Sequence, residues 1–132
     1  MPDQGHSIRV LVVDDEQSVA DTLALILNRS GHESVATYSG LEAINAAKTL
    51  KPQALLSDVM MPGMNGIELA RYFAENHAGC RVLLMTGYDS AFEIAQSFLP
   101  NGHFMNILTK PVLPQTVLAF VASCALNLPA RG

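Results

Sequence analysis

The chain has 132 residues and a formal net charge of -4; 49% of its residues are hydrophobic and 15% are charged. This composition excludes a mainly disordered chain, and the length suits one domain with a proper core. Lys and Arg form no run, so we expect the domain itself to bind neither nucleic acid nor a membrane surface through clustered cations.

The sequence also bears on location and boundaries. Cys80 and Cys124 lie in apolar patterns without metal-ligand spacing, which is typical of buried thiols in a reducing compartment. No apolar run reaches the roughly 20 residues of a transmembrane helix, and residues 1–7 lack the apolar core of a signal peptide. We predict a cytoplasmic protein with a flexible tail at 1–7, one domain over 8–127, and a short tail at 128–132.

The first elements alternate between strand and helix patterns. The β-branched run at 8–13 predicts a strand buried on both faces, as in a parallel sheet. Apolar residues at helical spacing follow; they predict a helix with Asp15 or Glu16 in its first turn and Gly31 just beyond its end. The alternating segment 33–38 predicts a second, more exposed strand.

The pattern then repeats. A second helix is predicted to open at Ser39-Gly40 and to close at Pro52. The apolar run 54–56 predicts a third strand that ends at Asp58. A loop with proline and glycines follows, and then a third helix that stops around Gly79.

The last third of the chain completes the alternation. Segments 81–85 and 104–108 predict the fourth and fifth strands, with a fourth helix over 91–98 between them and a fifth over 113–124. Five strands alternating with five helices predict an α/β fold of βαβ units with a parallel sheet.

The histidines are all predicted at solvated turn positions: His6, His32, His77 and His103.

Polar residues follow four of the apolar runs, namely Asp14-Asp15, Asp58, Thr86 and Lys110. The carboxyl ends of parallel strands share one edge of the sheet, so these side chains should converge there. Clustered carboxylates repel one another, and some stay protonated unless a cation neutralises them. Lys110 supplies one positive charge. A divalent cation could supply the rest, and the hard oxygen ligands favour Mg²⁺ over zinc.

Such a cluster suits phosphoryl chemistry. A carboxylate beside Mg²⁺ and a lysine can act as a nucleophile and form an aspartyl phosphate, because both cations compensate the phosphoryl charge. Thr86 is placed to hydrogen-bond a phosphoryl oxygen, and Gly87 leaves room for the group to enter. Each residue alone also suits a helix cap, a strand end or a loop start. Their combination at successive strand ends favours a site.

These residues resemble the motifs of response-regulator receiver domains, the CheY-like phosphoacceptor family of two-component signalling. The resemblance covers about residues 8–127, nearly the whole chain. It implies a flavodoxin-like, three-layer αβα fold with a five-stranded parallel sheet of order 2-1-3-4-5. The motifs that carry it are Asp14-Asp15, Asp58 followed by Met61-Pro62 and Gly66, Thr86-Gly87-Tyr88, and Lys110-Pro111.

The resemblance implies a role for each site residue. Asp58 would accept a phosphoryl group from a histidine kinase or histidine phosphotransfer protein. Lys110, Thr86 and Gly87 would contact that group and drive the switch. The residues that would hold Mg²⁺ are Asp14, Asp15, Asp58 and the backbone carbonyl of Met60.

The resemblance also implies how the signal leaves the site. Met60 and Tyr88 would flank the phosphoryl pocket, and Ile107 occupies the position where the family usually carries an aromatic switch residue. Phosphorylation would alter binding of a downstream protein target through the fourth helix, fifth strand and fifth helix.

Two other functions stay open at this point. A receiver-like binding module that works without phosphate would be expected to lack Asp58, Lys110 or the acidic pair, and all are present. A Mg²⁺-dependent phosphohydrolase needs a second acid near its nucleophile, and the residues after Asp58 are apolar. We therefore expect a phosphoacceptor switch that at most phosphorylates and dephosphorylates itself.

Overall fold

The computed structural model describes residues 7–87 and 106–126. The predicted helix over 91–98 and the terminal segments 1–6 and 128–132 lie outside the described residues. Strands and helices alternate from β1 to β4 in the described part of the chain, and β5 is the next described element. The helix labelled α4 corresponds to the predicted fifth helix. The elements are β1 (Arg9–Val13), α1 (Gln17–Arg29), β2 (Glu33–Thr37), α2 (Gly40–Leu50), β3 (Ala54–Asp58), α3 (Gly66–Asn76), β4 (Arg81–Thr86), β5 (Asn106–Thr109) and α4 (Pro114–Leu126).

The five strands form one parallel sheet in the order β2-β1-β3-β4-β5, which confirms the predicted topology. The register aligns the strand ends. Val13 of β1 lies opposite Ser57 of β3, and Asp58 lies opposite Met85 of β4. Thr86 lies opposite Thr109 of β5. The polar residues at the ends of these strands are therefore neighbours along one edge of the sheet.

Alternate residues of the strands face opposite helix layers. In β1, Val10 and Val12 pack with α1 and α4, whereas Leu11 and Val13 pack with α2 and α3. All four side chains are fully buried, so the prediction of a strand buried on both faces is confirmed. Burying an aliphatic side chain of this size is worth about 1.5–3 kcal/mol, and this alternation therefore holds three layers together.

Side-chain caps fix where two of the helices begin. The Ser39 hydroxyl accepts the Glu42 N–H at 3.1 Å and starts α2 where the sequence predicts. At α3, Asn65 and Glu68 form a reciprocal capping box. Helix α3 ends at Asn76, a little before the predicted stop near Gly79.

The prediction of an acidic residue in the first turn of α1 was wrong. Helix α1 begins at Gln17; Glu16 is the N-cap residue, with no side-chain capping bond, and Asp15 precedes it. The cause lies in Asp14, whose Oδ1 accepts the Glu16 N–H at 3.0 Å. The backbone therefore turns between Asp14 and Glu16 before α1 starts.

His32 also differs from its predicted position. Gly31 ends α1 with a φ of 96°, as expected for a glycine after a helix. The next residue, His32, is half-buried, and its Nδ1 accepts the Ile8 N–H at 3.1 Å. Burial lowers the pKa of His32, which keeps the ring neutral and able to accept this bond. His32, which lies just before β2, is therefore a structural residue that binds the N–H of Ile8 before β1, and it is not a solvated turn residue.

Both cysteines are free thiols. Cys124 is buried on α4 and Cys80 is half-buried before β4. Burial raises the pKa of Cys80 to about 12, with a smaller contribution from Cys124, so this thiol is protonated at neutral pH. Within the described residues, the helices are too short or too polar to cross a membrane.

Gly66, the first residue of α3, lies against the backbone of Asp58. A Cβ at Gly66 would lie 2.1 Å from the Asp58 carbonyl oxygen. We expect Gly66→Ala to destabilise the domain by about 2 kcal/mol, because backbone atoms must shift to relieve the overlap. Urea unfolding would measure this. Gly79→Ala is the control, since a Cβ there meets no described atom within 4 Å. Equal midpoints for the two variants would contradict the close contact.

Candidate functional site

Asp58 is the last residue of β3, the central strand of the sheet, and it is 6% exposed. Its backbone is held on two sides. The Ser57 hydroxyl donates to the Asp58 carbonyl at 3.0 Å, and Gly66 lies against the same carbonyl. The buried strand thus delivers a single carboxylate to the edge of the sheet in a fixed position.

Lys110 reaches this carboxylate from the end of β5. Its Nζ lies 3.2 Å from Oδ1 of Asp58 and 3.0 Å from Oδ2 of Asp14. The Lys110 backbone N–H donates to the Thr86 carbonyl at 2.7 Å, which ties the lysine to the end of β4. One ammonium therefore bridges two buried carboxylates that come from different strands.

Asp14 is fully buried, and both of its carboxylate oxygens have partners. Oδ1 accepts the Glu16 N–H, and Oδ2 accepts from Lys110. Its own N–H donates to the Thr37 carbonyl at 3.2 Å. Asp14 is therefore oriented by the turn that follows β1, by β2 and by the lysine.

The acidic cluster has the composition of a site for a hard cation. Asp14, Asp15 and Asp58 each present a carboxylate oxygen, and these oxygens all lie within 4.8 Å of one another. Asp15 is exposed, whereas the other two are buried, so the cluster opens to solvent on one side. All-oxygen ligands of this kind fit Mg²⁺, a hard cation that prefers oxygen ligands and keeps several waters. The three residues fit the predicted metal.

The electrostatics of the cluster also favour an added cation. Burial raises the pKa of Asp58, and the charges of Asp14 and Asp15 add to this, while Lys110 opposes it. Burial alone would lower the pKa of Lys110, but the hydrogen bond to Asp14 and the two carboxylate charges outweigh it and raise that pKa. Lys110 is thus charged, but its single positive charge does not balance the negative charges of the three carboxylates.

Other predicted site residues lie around this cluster. Thr86 is buried at the end of β4, beside the end of β3. Gly87 is exposed, and a Cβ there would meet no described atom within 4 Å. Met60 follows β3 and is 54% exposed. Tyr88 lies outside the described residues.

Ile107, at the predicted switch position, lies on β5 opposite Leu84. It is partly buried and packs against a small apolar cluster on the α3 side of the sheet. This cluster consists of Val59, Ile67, Ala70 and Leu84. These contacts do not test whether Ile107 relays the switch, so that role stays a prediction.

Sequence reasoning missed two features of the site. One is the Ser57 hydroxyl; its signal was a polar residue one position before the strand end in an otherwise apolar run. The other is an apolar groove of about 590 Å³ beside Lys110, between α1 and residues 111–114. The residues of α1 and its N-cap that line it are Glu16, Ser18, Val19, Thr22, Leu23 and Ile26.

Comparisons with known proteins agree with this geometry. The family model "Response regulator receiver domain" matches residues 10–122. The regulatory protein PhoP for alkaline phosphatase synthesis, from Bacillus subtilis, is 33% identical over 113 residues, covering 86% of this chain and 46% of PhoP. The DNA-binding response regulator MtrA from Mycolicibacterium paratuberculosis is 29% identical, covering 86% of this chain and 49% of MtrA.

Solved structures show the same fold. A CheY-like receiver domain protein from Methanospirillum hungatei superposes with a TM-score of 0.80 at 25% identity, covering 90% of this chain and 94% of that one. A two-component transcriptional regulator, AraC, from Clostridium phytofermentans superposes with a TM-score of 0.77 at 27% identity, covering 91% and 94%. The flavodoxin-like fold is therefore confirmed.

The names of the relatives bear on one expectation about partners. PhoP is named as a transcriptional regulatory protein and MtrA as a DNA-binding response regulator, and this chain spans about half the length of each. DNA is thus a partner of the whole MtrA protein. This conflicts with the expectation of no nucleic-acid partner, which was drawn for the receiver domain alone from its lack of clustered cations.

The family match spans most of the chain, and it coincides with the three carboxylates and the lysine at the strand ends. Receiver domains of response regulators interact with histidine kinases, and response regulators are signalling proteins. The chain belongs to the response regulator receiver domain family of two-component signalling.

Proposed function

We propose that this receiver accepts a phosphoryl group on Asp58 from a histidine kinase or histidine phosphotransfer protein, in a Mg²⁺-dependent reaction. The observation that carries the proposal is the position of Asp58. Its carboxylate lies 3.2 Å from the Lys110 ammonium, within a cluster of three carboxylates that suits a divalent cation. A nucleophile that becomes phosphorylated needs positive charge on both sides of the incoming group.

The transfer is a single displacement at phosphorus. An Oδ atom of Asp58 attacks the phosphorus of a phosphohistidine; the P–O bond forms as the P–N bond breaks, and the departing imidazole takes a proton from solvent. Lys110 is near enough to turn from Asp58 to a phosphoryl oxygen. Asp14, Asp15, Asp58 and the Met60 carbonyl would hold Mg²⁺, which supplies charge compensation for the phosphoryl oxygens when it is bound.

The switch would begin at Lys110. Phosphorylation adds roughly -1.5 to -2 charge at a site where this lysine is already shared between Asp14 and Asp58. The phosphoryl group would draw the ammonium away from Asp14. Because the Lys110 N–H is bonded to the Thr86 carbonyl, a shift of the lysine acts on the ends of β4 and β5 together. We propose Ile107 on β5 as the first apolar residue to respond.

The groove beside Lys110 is the proposed docking place for the phosphodonor protein. Ile26→Asp would place a charge in this groove, and we expect phosphoryl transfer from a protein donor to slow about tenfold, the effect of losing one well-packed apolar contact. Transfer from acetyl phosphate should be unchanged. The matched control is Leu25→Asp, because Leu25 is 51% exposed on the same helix and does not line the groove. Equal slowing in both variants would contradict docking at the groove.

Intact-mass spectrometry tests the proposed function. Protein incubated with Mg²⁺ and acetyl phosphate should gain the mass of one phosphoryl group. The gain should disappear with a chelator and in Asp58→Asn. A folded protein that gains no mass would favour a binding module that works without phosphate. Rapid hydrolysis of many phosphate esters would favour a phosphohydrolase instead.

A further inference from the structure

One edge of the sheet is formed by β2, which pairs with β1 on its inner side. An edge strand presents backbone N–H and C=O groups that can pair with a strand from another chain. The segment 34–37 of β2 is uncharged, and Val35 is 38% exposed. Such a segment is suited to pairing with a copy of itself unless its edge is blocked.

Two hydrogen bonds show which residues of β2 face β1. The Glu33 N–H donates to the Ile8 carbonyl at 3.0 Å, and the Thr37 carbonyl accepts the Asp14 N–H at 3.2 Å. In a parallel ladder, alternate residues direct their backbone groups to opposite sides of the strand. The backbone groups of Ser34 and Ala36 therefore point away from β1, toward the open edge. Tyr38 is the next residue in this alternation, one position beyond the end of β2.

Asn28 of α1 occupies the first of these outward positions. Its side-chain Oδ1 accepts the Ser34 N–H at 2.8 Å, and its Nδ2 donates to the Ser34 carbonyl at 3.3 Å. This pair of bonds is the one that a residue of an added strand would make. The Ser34 hydroxyl donates to the Ala24 carbonyl at 2.7 Å, which fastens the same residue to α1.

Glu42 of α2 occupies the last outward position. Its Oε1 accepts the Tyr38 N–H at 2.9 Å. Ala36 is then the one outward-facing residue of the three for which no side-chain cap is seen in the described structure. An incoming strand needs successive outward residues to form a ladder, and with both flanking positions occupied it can make bonds at Ala36 alone.

We infer that Asn28 and Glu42 close the outer edge of β2 against strand addition by a second copy of this chain. The edge is a latent self-association surface, and side chains from two different helices occupy backbone groups that an added strand would need. This inference is independent of phosphorylation, because neither cap belongs to the acidic cluster or to the lysine that bridges it.

The test removes the caps and follows association. Asn28→Ala/Glu42→Ala should dimerise or form larger species in analytical ultracentrifugation, whereas the wild type stays monomeric at the same concentration. Exchange of the Ser34 and Tyr38 amides should be at least about tenfold faster in the variant, since both lose their acceptors. Asn76→Ala is the control, because that side chain bonds to the Tyr72 carbonyl on α3.

A further substitution distinguishes strand pairing from general aggregation. Adding Val35→Lys to the double variant should restore the monomer, because a lysine on an edge strand opposes pairing. Association that persists with Val35→Lys, or a folded double variant that stays monomeric, would overturn the inference. If the double variant does not fold, the single variant Asn28→Ala takes its place under the same criteria.

Discussion

Lys110→Met is expected to destabilise the folded domain by about 3 kcal/mol at neutral pH, because it leaves two buried carboxylates without their shared cation. Asp14 is fully buried and Asp58 nearly so, and the lysine side chain itself is 25% exposed. Urea unfolding in the presence of a chelator measures the change. Lys48→Met, on the exposed face of α2, is the matched control and should leave the midpoint unchanged.

The same variant should bind Mg²⁺ more tightly, since the ammonium no longer shares the carboxylates with the metal. Uptake of phosphoryl groups from acetyl phosphate should nevertheless slow by about tenfold or more, because a charge that compensates the phosphoryl oxygens is lost. Titration calorimetry and intact-mass time courses separate the two effects. A variant that is as stable as the wild type, with unchanged Mg²⁺ affinity, would contradict the bridging role of Lys110.

Asp58→Asn is expected to abolish phosphorylation. Relative to the wild type, it should raise the free energy of unfolding in chelator and lower it with Mg²⁺. In chelator, the variant should be more stable than the wild type, because the amide removes a buried charge that faces Asp14. With Mg²⁺ at about 100 times its dissociation constant, the wild type gains about 2.7 kcal/mol, and the variant should lose most of that gain.

The direction of the Asp58 pKa shift gives the pH dependence of this difference. The folded pKa lies above the unfolded value, so the folded state holds a proton that the unfolded state has already released. In chelator, this residue therefore lowers the stability of the wild type as pH rises through the usual carboxyl range and beyond. Thermal unfolding from acid to neutral pH should show that slope, and Asp58→Asn should lack it. Glu75→Gln, an exposed replacement on α3, should retain it.

The sequence predicted the cluster because its geometry follows from topology. Parallel strands place their carboxyl ends together, so the polar residues that ended the apolar runs had to meet. The structure brings Asp14, Asp58 and Lys110 within hydrogen-bond distance and leaves Asp15 close by. No side-chain detail was needed for that conclusion.

Other features depend on side-chain orientation and could not be predicted from residue order. Asp14 accepts the Glu16 N–H, and α1 therefore begins at Gln17, although helix propensity alone allowed an earlier start. His32 accepts a backbone N–H from β1, 24 residues away in sequence. Asn28 pairs with Ser34 as a strand would, yet in the sequence it is an ordinary polar residue near a helix end.

The strand-end cluster is typical of the receiver family, whereas the departure from the family pattern at Ile107 concerns the output. Ile107 packs against apolar residues on the α3 side, at the position where the family usually has an aromatic ring. Phosphoryl chemistry at Asp58 and relay through β5 are thus separate proposals. Failure of the relay would leave the chemistry intact.

The most direct test of the chemistry is to locate the phosphoryl group itself. Protein treated with Mg²⁺ and acetyl phosphate is reduced with borohydride, which converts an aspartyl phosphate to homoserine, and is then mapped by peptide mass spectrometry. We predict homoserine at position 58, and none in protein treated with a chelator. Homoserine at Asp14 or Asp15 instead, or its absence from folded, Mg²⁺-bound protein, would contradict the assignment of Asp58 as the phosphoacceptor.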